Sequence, residues 1–342
     1  MKKVLHLTEA FGGGVQTALI SYVASSKGLE VEHSLVARSR SADDTGESYS
    51  GLFNRVDICS GSLLDFISMA KQAFCDIKPD VVHLHSSIAG FIFRFFNFGD
   101  AKLIYTPHCY AFERQDIGSA FSFVYRNLER FMISRIDVVA GCSQRECQLA
   151  EELGARETTY LNNYAVHEPD AVEEPPHPLN VVTVGRVSPQ KDPAYIATVL
   201  EHLKKLRADQ DVHFTWVGGG DPELEQQLRS VGVEVTGMLS RDRVMEILAN
   251  ADLYLHTAAW EGMPLTLLEA AKLDRPILCR SIGATAELPQ VVTTAQDMAL
   301  KIAAFGKGDM DVIRPCAELT RYINSFFTRK RQKKTLQQLY GQ

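Results

Sequence analysis

Short apolar runs alternate with stretches of helical apolar spacing along most of this 342-residue chain, and the alternation is interrupted once before it restarts. Apolar runs at residues 3–8, 31–37, 81–85, 102–105 and 137–140 lead toward helical patterns over 63–77, over 119–134 and from 144 onward. Strand and helix in turn predict a parallel sheet with helices packed on its faces. The interruption is at residues 167–178, with four prolines and four acids in twelve positions, a composition that favours an extended linker over a packed element. Beyond it the alternation resumes, with apolar runs at 181–184, 213–217, 233–236, 252–256 and 276–279. The expected organisation is an α/β chain with a Rossmann-like domain over 1–166, a linker over 167–179 and a second Rossmann-like domain over 180–320. A basic amphipathic helix over 321–342 follows.

Two ordinary cores fit within this length. Residues are 45% apolar and 23% charged, and no apolar run approaches the ~20 residues that cross a bilayer. The first residues are basic but reach a carboxylate at Glu9, too soon for a signal peptide, so a cytoplasmic location is expected. Seven scattered cysteines without a Cys-x-x-Cys pair suggest neither a disulfide framework nor a zinc site. A formal charge of −6 argues against a general nucleic-acid binder.

In the first half, Gly12-Gly13-Gly14 follows the first strand and opens a helix, a place where backbone can approach a ligand. It lacks the Gly-x-Gly-x-x-Gly spacing of dinucleotide folds and the Gly-Lys-Ser/Thr of a Walker loop, and a plain tight turn is the other reading. His83 and His85 share one strand face, yet no Cys or carboxylate completes a metal set, so structural or substrate-contact roles are expected and metal is not. His108, in Thr106-Pro107-His108, sits just past a strand's C-terminal end, the edge where open α/β sheets bind ligands. Residues 91–98 hold five phenylalanines, read either as a buried or interdomain contact or as a surface that enters a lipid interface.

In the second half, the strand ending at Gly185-Arg186 leads to Lys191-Asp192-Pro193, where Asp192 can cap a helix that starts with Pro193. Arg186 and Lys191 thus lie beside a helix start, suited to a diphosphate. The segment from Trp260 to Ala270 reads as a loop into a helix, with Pro264 at its first position and free amides of Leu265 and Thr266 facing the loop. Glu261 precedes that helix and Glu269 sits in its second turn. Either could be a solvated surface carboxylate.

The Glu, seven residues, Glu pattern of Glu261 and Glu269 resembles the signature of the family 4 retaining glycosyltransferases, which have the GT-B fold. So do the glycine loop, the Thr-Pro-His segment and the Gly-Arg with downstream Lys-Asp, which precede it in that order along the chain. The resemblance implies two Rossmann-like domains facing across a cleft, with the C-terminal helix returning to the first. It assigns Glu261 and His108 to the sugar and reaction centre, and Arg186, Lys191 and the backbone of Met263, Pro264, Leu265 and Thr266 to the diphosphate. Glu269 is assigned to the ribose, Met238 to the base, and Gly13 and Gly14 to the approach of donor and acceptor. Asp274 stands where the family usually has glycine.

The implied activity is transfer of a sugar from a nucleotide-diphosphate sugar, UDP-sugar favoured, to a hydroxyl of a glycan or lipid-linked oligosaccharide, without metal or cofactor. Bacterial polysaccharide or lipopolysaccharide synthesis is the implied setting, with peripheral contact at the cytoplasmic face of the inner membrane through the aromatic stretch or the basic tail. The rival readings are a sugar-nucleotide epimerase or phosphorylase on a similar scaffold and a noncatalytic nucleotide-sugar-binding membrane adaptor.

Overall fold

The structure is a computed structural model that describes residues 1–38, 49, 51–165, 178–208 and 212–341. They form two compact units, Met1–Tyr164 with Phe327–Gln342, and Ala165–Phe326. The linker expected over 167–179 lies outside the described residues up to residue 177.

The first unit holds a seven-stranded sheet of β1 (Lys2–Thr8), β2 (Val31–Arg38), β3 (Arg55–Cys59), β4 (Val81–His85), β5 (Lys102–Thr106), β6 (Val138–Gly141) and β7 (Thr158–Tyr160). Its order is β3-β2-β1-β4-β5-β6-β7 and every pairing is parallel, so all strand C-termini share one edge. The helices are α1 (Gly13–Ser25), α2 (Leu63–Ile77), α3 (Ser87–Phe93), α4 (Ser119–Met132) and α5 (Gln144–Leu153). Leu5, Leu7, Val82, Leu84 and Tyr105 point to one sheet face and pack against Phe66 of α2 and Phe93 of α3. Val4, Val81 and Ile104 point to the other, toward Tyr22 of α1. Strand order reverses direction between β1 and β4, which makes the crevice above them the expected ligand edge. Strands β3 and β7 have too few apolar residues to stand out in the sequence; β3 alternates Val56 and Ile58 with Arg55 and Asp57, as an edge strand does.

The second unit repeats the arrangement with β8 (Leu179–Val184), β9 (Val212–Val217), β10 (Glu234–Val235), β11 (Leu253–His256) and β12 (Ile277–Cys279), in the order β10-β9-β8-β11-β12. All its pairings are parallel, and its reversal lies between β8 and β11. Helices α6 (Pro193–Lys205), α7 (Pro222–Ser230), α8 (Arg241–Ala249), α9 (Leu265–Lys272), α10 (Ala295–Gly306) and α11 (Met310–Phe326) accompany it. The core gathers Trp216, Leu253 and Leu255 from the sheet with Ile196, Val199 and Leu203 of α6.

The C-terminal stretch is not the single helix expected over 321–342. Helix α11 ends at Phe326, and α12 (Arg329–Tyr340) begins afresh because Thr328 caps it, its side chain accepting from the Arg331 amide at 3.2 Å. Helix α12 belongs to the first unit, where Leu336, Leu339 and Tyr340 are buried beside Tyr22. Its basic residues meet the carboxyl end of α1: Arg329 donates to the Ala24 carbonyl at 2.5 Å and Lys333 to the Lys27 carbonyl at 2.9 Å. Cations there complement the helix dipole.

The phenylalanines of 91–98 divide between core and surface. Phe93 is in the core and Phe96 and Phe98 pack against it, while Phe91 and Phe95 are exposed. At Asp274 the backbone is left-handed, φ 55°, a conformation in which Asp substitutes tolerably for glycine.

Candidate active site

In the second unit, the loops leaving β8 and β11 meet at the point of strand reversal. Gly185 has φ 153°, and a Cβ there would lie 2.7 Å from Cε of Lys191, so the lysine stem lies directly over this glycine. Asp192 takes φ 53° and caps α6 by accepting from the Tyr195 amide at 3.2 Å. Its other oxygen receives Arg280 Nη1 at 2.6 Å, and the Arg280 guanidinium lies 4.0 Å above the Tyr195 ring. The cap therefore fixes the residue that follows Lys191.

Hydrogen bonds tie this loop to the one after β11. Ala259 N donates to the Gln190 carbonyl at 2.9 Å, Thr257 Oγ1 to the Lys191 carbonyl at 3.2 Å, and Gln190 Nε2 to the Trp260 carbonyl at 3.2 Å. The charged groups then converge: Lys191 Nζ is 2.5 Å from Glu261 Oε1, and Gln190 Nε2 donates to Glu261 Oε2 at 3.2 Å. Arg186 is exposed on the same loop.

Pro264 is the N-cap of α9 and not its first helical residue, so the helix starts one position later than the sequence suggested. Leu265 and Thr266 form the first turn, half-buried, and their amides have no intrahelical acceptor. Thr266 Oγ1 is braced by the Tyr254 hydroxyl at 2.8 Å. Met263 is buried, whereas Met238, after the turn at Gly237, is exposed. Glu269 is no solvated surface residue: it is 1% exposed and its Oε1 pairs with Arg241 of α8. Glu269 Oε2 is buried without a hydrogen-bond partner among the described residues, an acceptor in want of a donor.

In the first unit, Gly13 and Gly14 form the first turn of α1, just beyond β1, and Gly13 has φ 52°. His108 and Cys109, just beyond β5, hold consecutive left-handed conformations at φ 51° and 86°. Such backbone persists only where the surroundings hold it. The Glu146 carboxylate does so, accepting from the Cys109 amide at 2.6 Å and the Cys142 amide at 2.8 Å. Burial raises the pKa of Glu146, while those two amides pull against the rise. His108 Nε2 is 3.2 Å from His85 Nδ1, and burial among neighbouring rings lowers the His108 pKa to about 4. His83 is engaged elsewhere, with Thr106 Oγ1 at 2.9 Å and the Tyr340 hydroxyl at 3.3 Å.

Sequence reading missed Gln190, Arg241 and Glu146. Ser143-Gln144-Arg145-Glu146 has the spacing of a capping box, a signal for Glu146, and Ser143 Oγ does accept from the Glu146 amide at 3.2 Å. The glutamate side chain instead reaches the amides of Cys109 and Cys142. No local pattern marks Gln190 or Arg241.

Both halves of the chain are similar to known proteins. A family described as glycosyl transferase 4-like domain matches residues 13–163, and one described as glycosyl transferases group 1 matches residues 178–307. The chain is 24% identical over 308 residues to an "uncharacterized 41.2 kDa protein in cps region" of Klebsiella pneumoniae, covering 85% of this chain and 83% of that protein. It is 26% identical over 251 residues to the UDP-Gal:alpha-D-GlcNAc-diphosphoundecaprenol alpha-1,3-galactosyltransferase of Escherichia coli, covering 65% of this chain and 62% of that enzyme. The crystal structure of Anabaena HepE in complex with UDP and glucose superposes with a TM-score of 0.73 at 17% identity, over 99% of both chains. The chain belongs to the glycosyltransferases of the GT-B fold class, joining a glycosyl transferase 4-like domain to a group 1 domain.

Proposed function

We propose that this protein is a retaining, metal-independent glycosyltransferase that moves a sugar from a UDP-sugar to a hydroxyl of a glycan or lipid-linked oligosaccharide in bacterial surface-polysaccharide synthesis. The observation that carries the reading is the Lys191–Glu261 pair at the strand reversal, ahead of the open amides of α9. Lys191, Arg186 and those amides receive the diphosphate, whose charge grows as the bond between anomeric carbon and phosphate oxygen breaks. Glu261, held by Lys191 and Gln190, accepts from sugar hydroxyls. Glu269 Oε2 accepts from the ribose, and Met238 meets the base. In the first unit, His108 contacts the sugar and the α1 turn at Gly13 and Gly14 admits donor and acceptor. The departing phosphate oxygen takes the acceptor hydroxyl's proton as the new glycosidic bond forms on the same face, with the protein contributing position and electrostatics.

The activity named for the Escherichia coli relative and the UDP bound to HepE support the choice of UDP and of a lipid-linked acceptor. A cytoplasmic, membrane-peripheral location is part of this reading. No helix among the described residues is long and apolar enough to cross a membrane. Helix α4 exposes Phe121, Phe123, Val124, Tyr125 and Phe131 together with Arg126 and Arg130, a composition suited to the headgroup boundary.

Calorimetric titration with UDP, GDP and dTDP in the presence of a chelator tests the reading. UDP binding that weakens at least tenfold in Arg186→Ala and Lys191→Ala proteins is expected. Absence of binding to all three nucleotides would overturn it.

A further inference from the structure

Four imidazoles in the first unit are joined end to end. His33 Nδ1 lies 2.9 Å from His6 Nε2, His6 Nδ1 lies 3.0 Å from His85 Nε2, and His85 Nδ1 lies 3.2 Å from His108 Nε2. Successive ring planes differ by 24°, 27° and 29°, with centroids 5.2, 5.2 and 5.5 Å apart. Those values describe rings meeting edge to edge through their nitrogens, not face-to-face stacks. The row has a simple origin in the sheet. His33 is level with Val4 on the neighbouring strand, His6 with His83, and His85 with Thr8, so the three strand histidines of the row project, with His83, to the face covered by α1 and α12. His108 follows from the end of β5.

Burial keeps these rings neutral, lowering every one of their pKa values. A neutral imidazole has one N–H and one bare nitrogen. Three links between four such rings then permit only two arrangements. Either every ring carries its proton on Nδ1, each donating toward His108, or every ring carries it on Nε2, each donating toward His33. A mixed set leaves two lone pairs or two protons facing one another in the interior.

The ends decide between them. His33 Nε2 is buried and has no hydrogen-bond partner among the described residues. In the first arrangement it is a bare lone pair; in the second it is an unsatisfied buried N–H, the rarer and costlier state. We propose that His33, His6 and His85 act as a tautomer-setting relay that makes His108 present Nδ1–H, a hydrogen-bond donor, to an oxygen of the bound ligand. His85, His6 and His33 are positioning residues, and their value to transfer rests on the placement of His108 at the sugar. The ring nitrogens of His6, His83 and His85 also lie within 4.8 Å of one another, but each is already engaged in the hydrogen bonds given above, so a metal would have to break the row.

The test is a long-range ¹H–¹⁵N correlation spectrum of the ligand-free, full-length protein labelled at histidine nitrogens, recorded at pH 8. His108→Asn, which tolerates the left-handed backbone, identifies the His108 signals by their loss. All four rings in the Nδ1–H form are expected. A mixed set of tautomers, or a uniform Nε2–H set, overturns the proposal. His33→Leu makes His6 Nε2 the buried end, where a bare lone pair is again preferred to an unsatisfied N–H, so His108 is expected to keep Nδ1–H; a change of His108 to Nε2–H also overturns the proposal. The spectrum needs no substrate. A uniform Nδ1–H set with a His108→Asn protein of full transfer rate would therefore uphold the relay and count against the sugar-contact role of His108.

Discussion

Lys191 Nζ and Glu261 Oε1 lie 2.5 Å apart and join the two loops that leave β8 and β11 at the strand reversal of the second unit. Seventy positions separate them in the chain. Their opposite charges hold the cation proposed to bind phosphate and the carboxylate proposed to bind sugar in fixed relation, and Gln190 steadies the second carboxylate oxygen.

Substitution should separate the two roles. Lys191→Ala is expected to weaken UDP binding at least tenfold. Glu261→Gln keeps a hydrogen bond to Lys191 but loses the charge, and should lower kcat by about 10²–10³ with nucleotide affinity changed little. Calorimetry and a radiolabelled transfer assay read the two effects.

Glu146 holds the left-handed pair His108–Cys109 from below. Glu146→Ala removes a carboxylate from two backbone amides and should cost about 1.5–3 kcal/mol of stability, read from the urea midpoint at constant m-value. Transfer should fall while UDP binding by the other unit stays near its original strength. Equal loss of both would contradict the local role.

The histidine row makes stability depend on pH in a definite direction. His33 and His108 are lowered to about 4 by burial, and His6, His83 and His85 lie well below their ordinary value, with burial the largest cause. The unfolded chain therefore binds more protons than the folded one below pH ~6.5. Stability is fully present above that pH and is lost as pH falls toward the folded values, by up to about 1.4 kcal/mol per pH unit for each histidine. Urea midpoints between pH 8 and pH 5 should fall steadily below pH 6.5, and His33→Leu should flatten the slope.

The outer face of α4 is the best-placed surface for a bilayer, with Phe121 65% and Phe131 73% exposed. A Phe121→Ser, Phe123→Ser, Phe131→Ser protein should sediment several-fold less with vesicles containing anionic lipid, and its thermal midpoint should change little, since these side chains contribute little to the core. Undiminished sedimentation would move the contact elsewhere.

The alternation of apolar runs and helical patterns determined two parallel-sheet α/β units by itself, because strand and helix differ in period and the chain must bury both kinds of face. Loop chemistry was equally local: Asp192 before Pro193 announced a cap. What sequence could not supply was pairing across distance. Glu269 read as a ribose ligand or a surface carboxylate, and only folding set Arg241 against one of its oxygens and left the other open. The five phenylalanines of 91–98 drew attention that belonged as much to α4, whose exposed face has the same spacing as a buried one. His6 and His33 are single residues on separate strands, without a motif. Parallel register brings them level with their neighbours on one face of the sheet, and that register exists only in the folded chain.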